Sequence, residues 1–376
     1  MNLNNPRVFQ NRLPKIGRFK NCRRWRVLAF LGAACMASCI WLAGCAPPAT
    51  IGLKAQRMHE VPLKIVWLQI PGLSEEHFAF LRFNNISAAT VTSFEESTCW
   101  GKLWNFNLFH LRPTAAQGLL AQIVGNTNLT GTCADYTRRP LWSYLQELGF
   151  KTAVLEIQTP EKSSLAAAAK CTNPDFLKGL SLWRMAKAPT SAKNFFHYQD
   201  KKFTWPEGIV YDRSCQQDQC FASPIDNFWY LHERLISSSS YFLLVRDFSY
   251  FQALSGHQFK KAQAILAEWE KVYASLLDLA KQDSSVLILL SSTSAFGVEF
   301  PAEGKTWQQL EQTGKGIIYH QPNLASLALA AGASAENFCG MYQEASLMER
   351  TLWFMNQRGV DKQIMTIQEE KAKSQK

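Results

Sequence analysis

The stretch Lys64 to Ser74 constrains the fold of this chain more than any other. Ile65 to Ile70 is a short apolar run with β-branched and aromatic members, which reads as a buried strand. Pro71 and Gly72 stop it. Ser74 follows as a helix cap, with Glu75 and Glu76 in the first turn, where the helix dipole favours negative charge. Strand, tight turn and helix form the opening unit of an α/β sheet. Ligands of such sheets sit just past the carboxyl ends of the strands, so any chemistry is expected at Gln69 to Leu73.

The same grammar recurs along the chain. Ala115 to Val124 reads as a helix ended by Gly125. Leu141, Leu145 and Leu148 share one helical face, Gly149 ends that helix, and Thr152 to Ile157 is the next strand. Tyr241 to Val245 and Val286 to Leu290 are fully apolar, as buried parallel strands are. Between them a long helix runs from Gln258 to about Ala280, with Ile265, Trp269, Val272 and Leu276 marking its buried face. Gly316 to Pro322 reads as a last short strand and turn, and Ser334 to Gln357 as one or two amphipathic helices. Five buried strands alternating with helices predict an α/β fold with a largely parallel central sheet and helices on both faces. The stretch after the opening unit, up to Arg112, reads as aromatic loop. Residues 159–238, rich in Lys, Ser, Pro and aromatics, read as an insertion or cap over the sheet edge, with Phe195-Phe196-His197-Tyr198 packed inside it or, as the alternative, lining a ligand groove.

The ends of the chain have a different character. The first 26 residues carry eight Lys or Arg and no acid, and Val27 to Leu42 is apolar or small. A basic region followed by a short apolar one is the pattern of a secretory signal peptide, expected over residues 1–44, and the apolar run is short for a membrane-spanning helix. Without this leader the formal charge falls from +10 to +2, with 32 basic and 30 acidic residues. Nothing then favours nucleic acid as a partner. Residues 45–61 read as a tether, residues 62–360 as the α/β domain, and residues 361–376 as a charged tail. Cys99, Cys133, Cys171, Cys215, Cys220 and Cys339 in an oxidising compartment allow three disulfides. Cys215 with Cys220 closes a local loop, and Cys99 with Cys133 is the second expected pair. No finger-type Cys or His spacing points to a zinc site.

Three sequence features, in this order and spacing, carry a resemblance. They are the strand ending in Pro71-Gly72, Pro113-Thr114 at the head of the helix 115–124, and Ser291-Ser292-Thr293-Ser294-Ala295-Phe296-Gly297 after a buried strand. From about Val61 to Phe354 the chain resembles the alkaline phosphatase/sulfatase superfamily, including its phosphoethanolamine-transferase-like members. The resemblance implies an alkaline phosphatase-like fold, a nucleophile position at Thr114, and metal ligands where Pro71, Thr293 and Ser294 stand. Proline offers no ligand atom, and hydroxyls do not replace the Asp and His of that motif. Thr114 then reads as a helix cap rather than an activated nucleophile. Separately, Leu42-Ala43-Gly44-Cys45 resembles the lipobox of bacterial lipoproteins. That resemblance implies acylation of Cys45, palmitate being one such chain, with Ala46 favouring the outer membrane.

The expectation is therefore a lipid-anchored envelope protein whose domain is a metal-free pseudoenzyme, acting as a binding or envelope-assembly module. Its partners would be the membrane, through the anchor, and an envelope protein or an anionic glycan or lipid. Arg112 and Thr114, at the start of the helix, are candidates for holding an anion. The alternative is a working ester hydrolase or phosphoethanolamine-type transferase. It would need zinc or another divalent metal held by Asp247, His257 and His320. In the first reading Asp247 pairs with Arg246 or another cation. A third reading, a structural lipoprotein, expects the strand-end cleft to be filled by Trp, Phe or Leu.

Overall fold

The computed structural model describes residues 61–353 apart from 83–90, 107–109, 172–173, 202–203, 217–218 and 321–322. The leader, Cys45, the tether and the charged tail lie outside the described residues. Among the described residues no helix is long and apolar enough to cross a membrane.

Ten strands form one sheet: β1 (Lys64–Gln69), β2 (Cys99–Trp104), β3 (Lys151–Ile157), β4 (Ser181–Met185), β5 (Phe195–Phe196), β6 (Gly208–Asp212), β7 (Tyr241–Asp247), β8 (Val286–Ser291), β9 (Ala325–Gly332) and β10 (Gly340–Gln343). Their order is β10-β2-β9-β8-β1-β7-β3-β4-β6-β5. All pairings are parallel except those of β9, which runs against both β8 and β2. β1 lies at the centre, with Val66 opposite Ile288 of β8 and Leu243 of β7.

Helices cover both faces. Val66, Leu68 and Ile70 point to one face with Leu266, Trp269, Tyr273 and Leu276 of the long helix Phe259–Gln282 and Phe228 and Leu231 of Pro224–Ile236. Ile65 and Trp67 point to the other, with Leu120 and Ile123 of helix α1 (Ala115–Val124) and Leu141 and Leu145 of helix Leu141–Glu147. Alternate residues of a strand face opposite ways, so a strand buried on both sides reads as a continuous apolar run. That is why β1, β3, β7 and β8 were visible as sequence.

Several expectations need correction. Cys99–Trp104, read as loop, is a sheet strand whose outward residues are Trp100, Lys102 and Trp104, a mixture without a clean period. Ala325–Gly332 is made of residues with good helix propensity, yet it fills the gap between β8 and β2, where tertiary pairing decides its state. The described part of the stretch Ser334 to Gln357, up to Trp353, holds a 3₁₀ turn, the strand β10 and the helix Ser346–Leu352 rather than helices alone. Ile318–Tyr319 is a strand but pairs with Val298–Glu299 outside the main sheet. Residues 159–238, expected as an insertion or cap over the sheet edge, supply β4, β5 and β6 and so extend the sheet itself. Ser74 is followed by a 3₁₀ turn, Glu75–Phe78, rather than directly by an α-helix.

Cys215 is bonded to Cys220, across a two-stranded ribbon. Cys99 is bonded to Cys339 and Cys133 to Cys171, so the expected Cys99–Cys133 pair is wrong. Nearness in sequence suggested it, whereas the parallel pairing of β2 with β10 brings Cys99 to the residue just before β10.

Candidate functional site

The carboxyl ends of β1, β7 and β8 meet, as the opening motif demands. The turns after β1 and β8 are tied together: the Gly72 N–H donates to the Thr293 carbonyl at 2.8 Å, and the Phe296 N–H donates to the Gly72 carbonyl at 3.0 Å. Gly72 has φ +87°, a backbone shape that favours glycine. Its open side is covered by the rings of Phe251 and Phe296 at 3.3 Å and by Leu254 at 3.5 Å from where a Cβ would stand. Pro71 beside it is buried.

Thr293 and Ser294 stand at the end of β8, both buried. The Thr293 hydroxyl donates to Glu344 Oε2 at 3.0 Å, and the Ser294 hydroxyl donates to the Pro113 carbonyl at 3.2 Å. Helix α1 lies directly on Thr293. A Cβ on Gly118 would stand 2.8 Å from the Thr293 Cβ and 3.0 Å from Glu344 Oε2, and closer still to the Thr293 hydroxyl. Behind this contact lies a buried polar network. Gln122 of α1 accepts from the Ser291 hydroxyl (2.7 Å) and from the Gln69 amide (3.0 Å), and donates to the Ser292 carbonyl (3.0 Å). Ser291 also accepts from the Trp67 indole at 2.8 Å. Burial pushes the Glu344 carboxyl up to about 8, against the hydrogen bonds from Thr293 and Gln122.

The sequence-derived candidates do not assemble into a metal site. Asp247 is fully buried, and its carboxylate accepts from the Trp269 indole at 2.6 Å and the Ser249 N–H at 2.8 Å. Burial raises its pKa, with those bonds pulling the other way. It does not pair with Arg246, contrary to expectation, because neighbours in a strand point to opposite faces. Arg246 reaches Glu156 at 2.8 Å instead. His257 is exposed and stacks on Tyr319 at 4.6 Å, while His320 lies 3.5 Å from Glu299 at the surface. Among the described residues, one group of three His, Cys, Asp or Glu is close enough to share an ion, namely Asp212, Cys215 and Cys220, and its cysteines form a disulfide. Thr114 is exposed. Its hydroxyl accepts the Gln117 N–H at 3.3 Å while Gln117 Oε1 accepts the Thr114 N–H at 2.9 Å, a reciprocal cap of α1. Arg112 is exposed in the loop before it.

Some residues of this region escaped sequence reading. Gln69 and Gln122 are polar residues inside apolar runs, a signal that marks a buried partner. Glu344 and Gly118 carried none, since their meeting is made by tertiary packing. His77, in the turn after β1, is another: it is fully buried, bonded to the Tyr250 hydroxyl at 2.8 Å, and held down to about 3 by burial.

A mostly parallel ten-stranded sheet, helix-covered on both faces and with its turns gathered at the strand ends, is the alkaline phosphatase-like α/β fold. Solved structures agree. The alkaline phosphatase of the Antarctic bacterium TAB5 superposes with TM-score 0.59 at 12% identity, covering 79% of this chain and 99% of that one. The cold-active enzyme of a psychrophilic Shewanella gives 0.59 at 11% identity, over 77% and 98%. A TAB5 variant with magnesium bound in its M3 site gives 0.56 at 13% identity, over 79% and 99%. At such identities the likeness is one of fold. No family model matches the sequence, and no curated protein does. The positions where the resemblance implies metal ligands carry other side chains. The turn after β1 offers Pro71, and the hydroxyls after β8 are committed to Glu344 and Pro113 beneath α1.

Proposed function

We propose that this protein is a lipid-anchored component of the bacterial cell envelope, on the outer membrane, that keeps an alkaline phosphatase-like fold without its metal chemistry. In this reading Cys45 carries the anchor. The domain serves as a binding or envelope-assembly module whose partners are the membrane and an envelope protein or anionic glycan or lipid. The observation that carries the reading is the seating of Gly118 on Thr293, with Thr293 bonded to Glu344. Where the superfamily resemblance implies a metal ligand, this chain has a packed contact. The Thr114 hydroxyl is engaged as a cap, and in this reading no metal activates it. The rings of Phe251 and Phe296 over Gly72 close the turn from the other side, which supports the loss of metal chemistry and is also what the structural-lipoprotein reading expects.

The test is metal content together with hydrolysis. The protein, prepared without chelator and offered zinc, magnesium and manganese, is expected to retain none stoichiometrically. It is also expected to leave phosphate and sulfate esters intact. Stoichiometric metal, with ester hydrolysis lost in Thr114→Ala, would restore the hydrolase or transferase reading. Labelling with palmitate in the wild type and its loss in Cys45→Ser tests the anchor.

A further inference from the structure

A second site lies away from the closed turns, at the carboxyl ends of β3 and β4. There a cavity of about 460 Å³ is walled by Ile157, Pro160, Met185 and Ala222, with Arg184 at its base and Lys187 at its rim. The volume falls in the range of small-molecule pockets, and its position is the one where α/β sheets hold ligands. Its wall is fixed: the Gln252 amide donates to the Gln158 carbonyl at 2.8 Å, and the Phe248 N–H donates to the Ile157 carbonyl at 3.1 Å.

The charges beneath the cavity are uneven. Arg184, Arg246 and Glu156 are each at most 2% exposed. Both guanidiniums turn to the one carboxylate, Arg246 at 2.8 Å and Arg184 at 3.3 Å. Glu156 also accepts from the Leu165 N–H at 2.8 Å and from the Ser164 hydroxyl, so its lone pairs are heavily used. The Nε of Arg184 meets Glu156 only as that 3.3 Å ion pair, without hydrogen-bond geometry, and the Nε of Arg246 makes no hydrogen bond. A buried guanidinium that shares its carboxylate needs another anion. The structure supplies Glu161, 3.1 Å from Arg184, but this side chain is 59% exposed and also reaches out to Lys170 at 3.2 Å. An exposed surface carboxylate thus stands over a buried arginine at the mouth of a cavity.

We propose that this cavity binds a small organic oxyanion, whose carboxylate or phosphate group pairs with Arg184 in place of Glu161. The apolar walls take the organic part, and Lys187 at the rim adds a second charge. Arg184 presents a planar fork suited to such groups, and Glu161 acts as the internal competitor that vacates the site. The inference goes beyond the proposed function and stands whether or not the closed turns once held metal.

The purified protein is titrated calorimetrically with N-acetylalanine and, separately, with inorganic phosphate. The variants are Glu161→Gln, Lys187→Ala and Arg184→Gln, each checked by thermal melting. Saturable binding of either probe is expected, and the probe that binds assigns the group to carboxylates or phosphates. Glu161→Gln should tighten it about fivefold, the equivalent of about 1 kcal/mol for one exposed ion pair removed. Arg184→Gln should abolish it. If Arg184→Gln does not fold, the exposed pair Glu161→Gln and Lys187→Ala decides, with opposite effects expected. No saturable binding of either probe, or affinity unmoved or weakened by Glu161→Gln, overturns the proposal.

Discussion

Gly118→Ala is the sharpest probe of the closed turn. In an ordinary helix the change stabilises by up to about 1 kcal/mol, because alanine has the higher helix propensity. Here the added methyl would stand 2.8 Å from the Thr293 Cβ and 3.0 Å from Glu344 Oε2. Rotating the Thr293 hydroxyl relieves only part of the overlap, since the Cβ stays in place. Thr293 is fully buried two residues past the end of β8, so relief requires α1 to lift from the sheet. Overpacking of a dense core costs about 1–3 kcal/mol, and a contact this short belongs at the upper end. The net expectation is a loss of about 2 kcal/mol, seen as a lower urea midpoint with unchanged slope. Thr293→Ala removes the hydroxyl and should recover part of that loss in the double variant, giving a favourable coupling of about 1 kcal/mol. A Gly118→Ala protein more stable than wild type by the full propensity gain would refute the reasoning. Helix α1 would then not rest on Thr293, and the space for a metal would be open.

Four other outcomes follow from the same geometry. Glu344, raised to about 8 by burial, binds a proton in the folded state that the unfolded chain gives up near pH 4.5. Stability should therefore fall as pH rises from about 4.5 to 8, and Glu344→Gln should remove that slope, by up to a few kcal/mol in urea unfolding at pH 9 against pH 5. His77, lowered to about 3, is neutral when folded but takes a proton in the unfolded chain below about 6.5. Its share of stability is lost as pH falls from 6.5 toward 3, so His77→Gln should flatten the acid limb of the stability profile. Glu156→Gln would leave two buried guanidiniums without their carboxylate, and a loss of about 3–5 kcal/mol in denaturant unfolding is expected. Peptide mapping without reductant should recover Cys99 linked to Cys339 and Cys133 linked to Cys171, and a Cys99–Cys133 peptide would contradict the pairing of β2 with β10.

What the sequence determined by itself is the frame. A strand buried on both faces must be an unbroken apolar run, so β1, β3, β7 and β8 showed themselves, and Gly125 and Gly149 marked where helices end. The superfamily resemblance, carried by short motifs along the chain, singled out Pro71, Thr293 and Ser294 as residues that do not supply its metal ligands. Tertiary structure decided everything that depends on which segments become neighbours. Ala325–Gly332 is a strand because it lies between β8 and β2, against its own helix propensity. Asp247 turned to Trp269 because Arg246 took the opposite face. Gly118, Thr293 and Glu344 come from three distant segments, and their contact has no period, motif or spacing in the chain. The cavity over Arg184 has the same origin, since its walls come from the ends of β3 and β4 and from the loop before helix Pro224–Ile236. Periodicity is a property of neighbours along the chain, whereas a closed turn and a shared carboxylate are properties of neighbours in space.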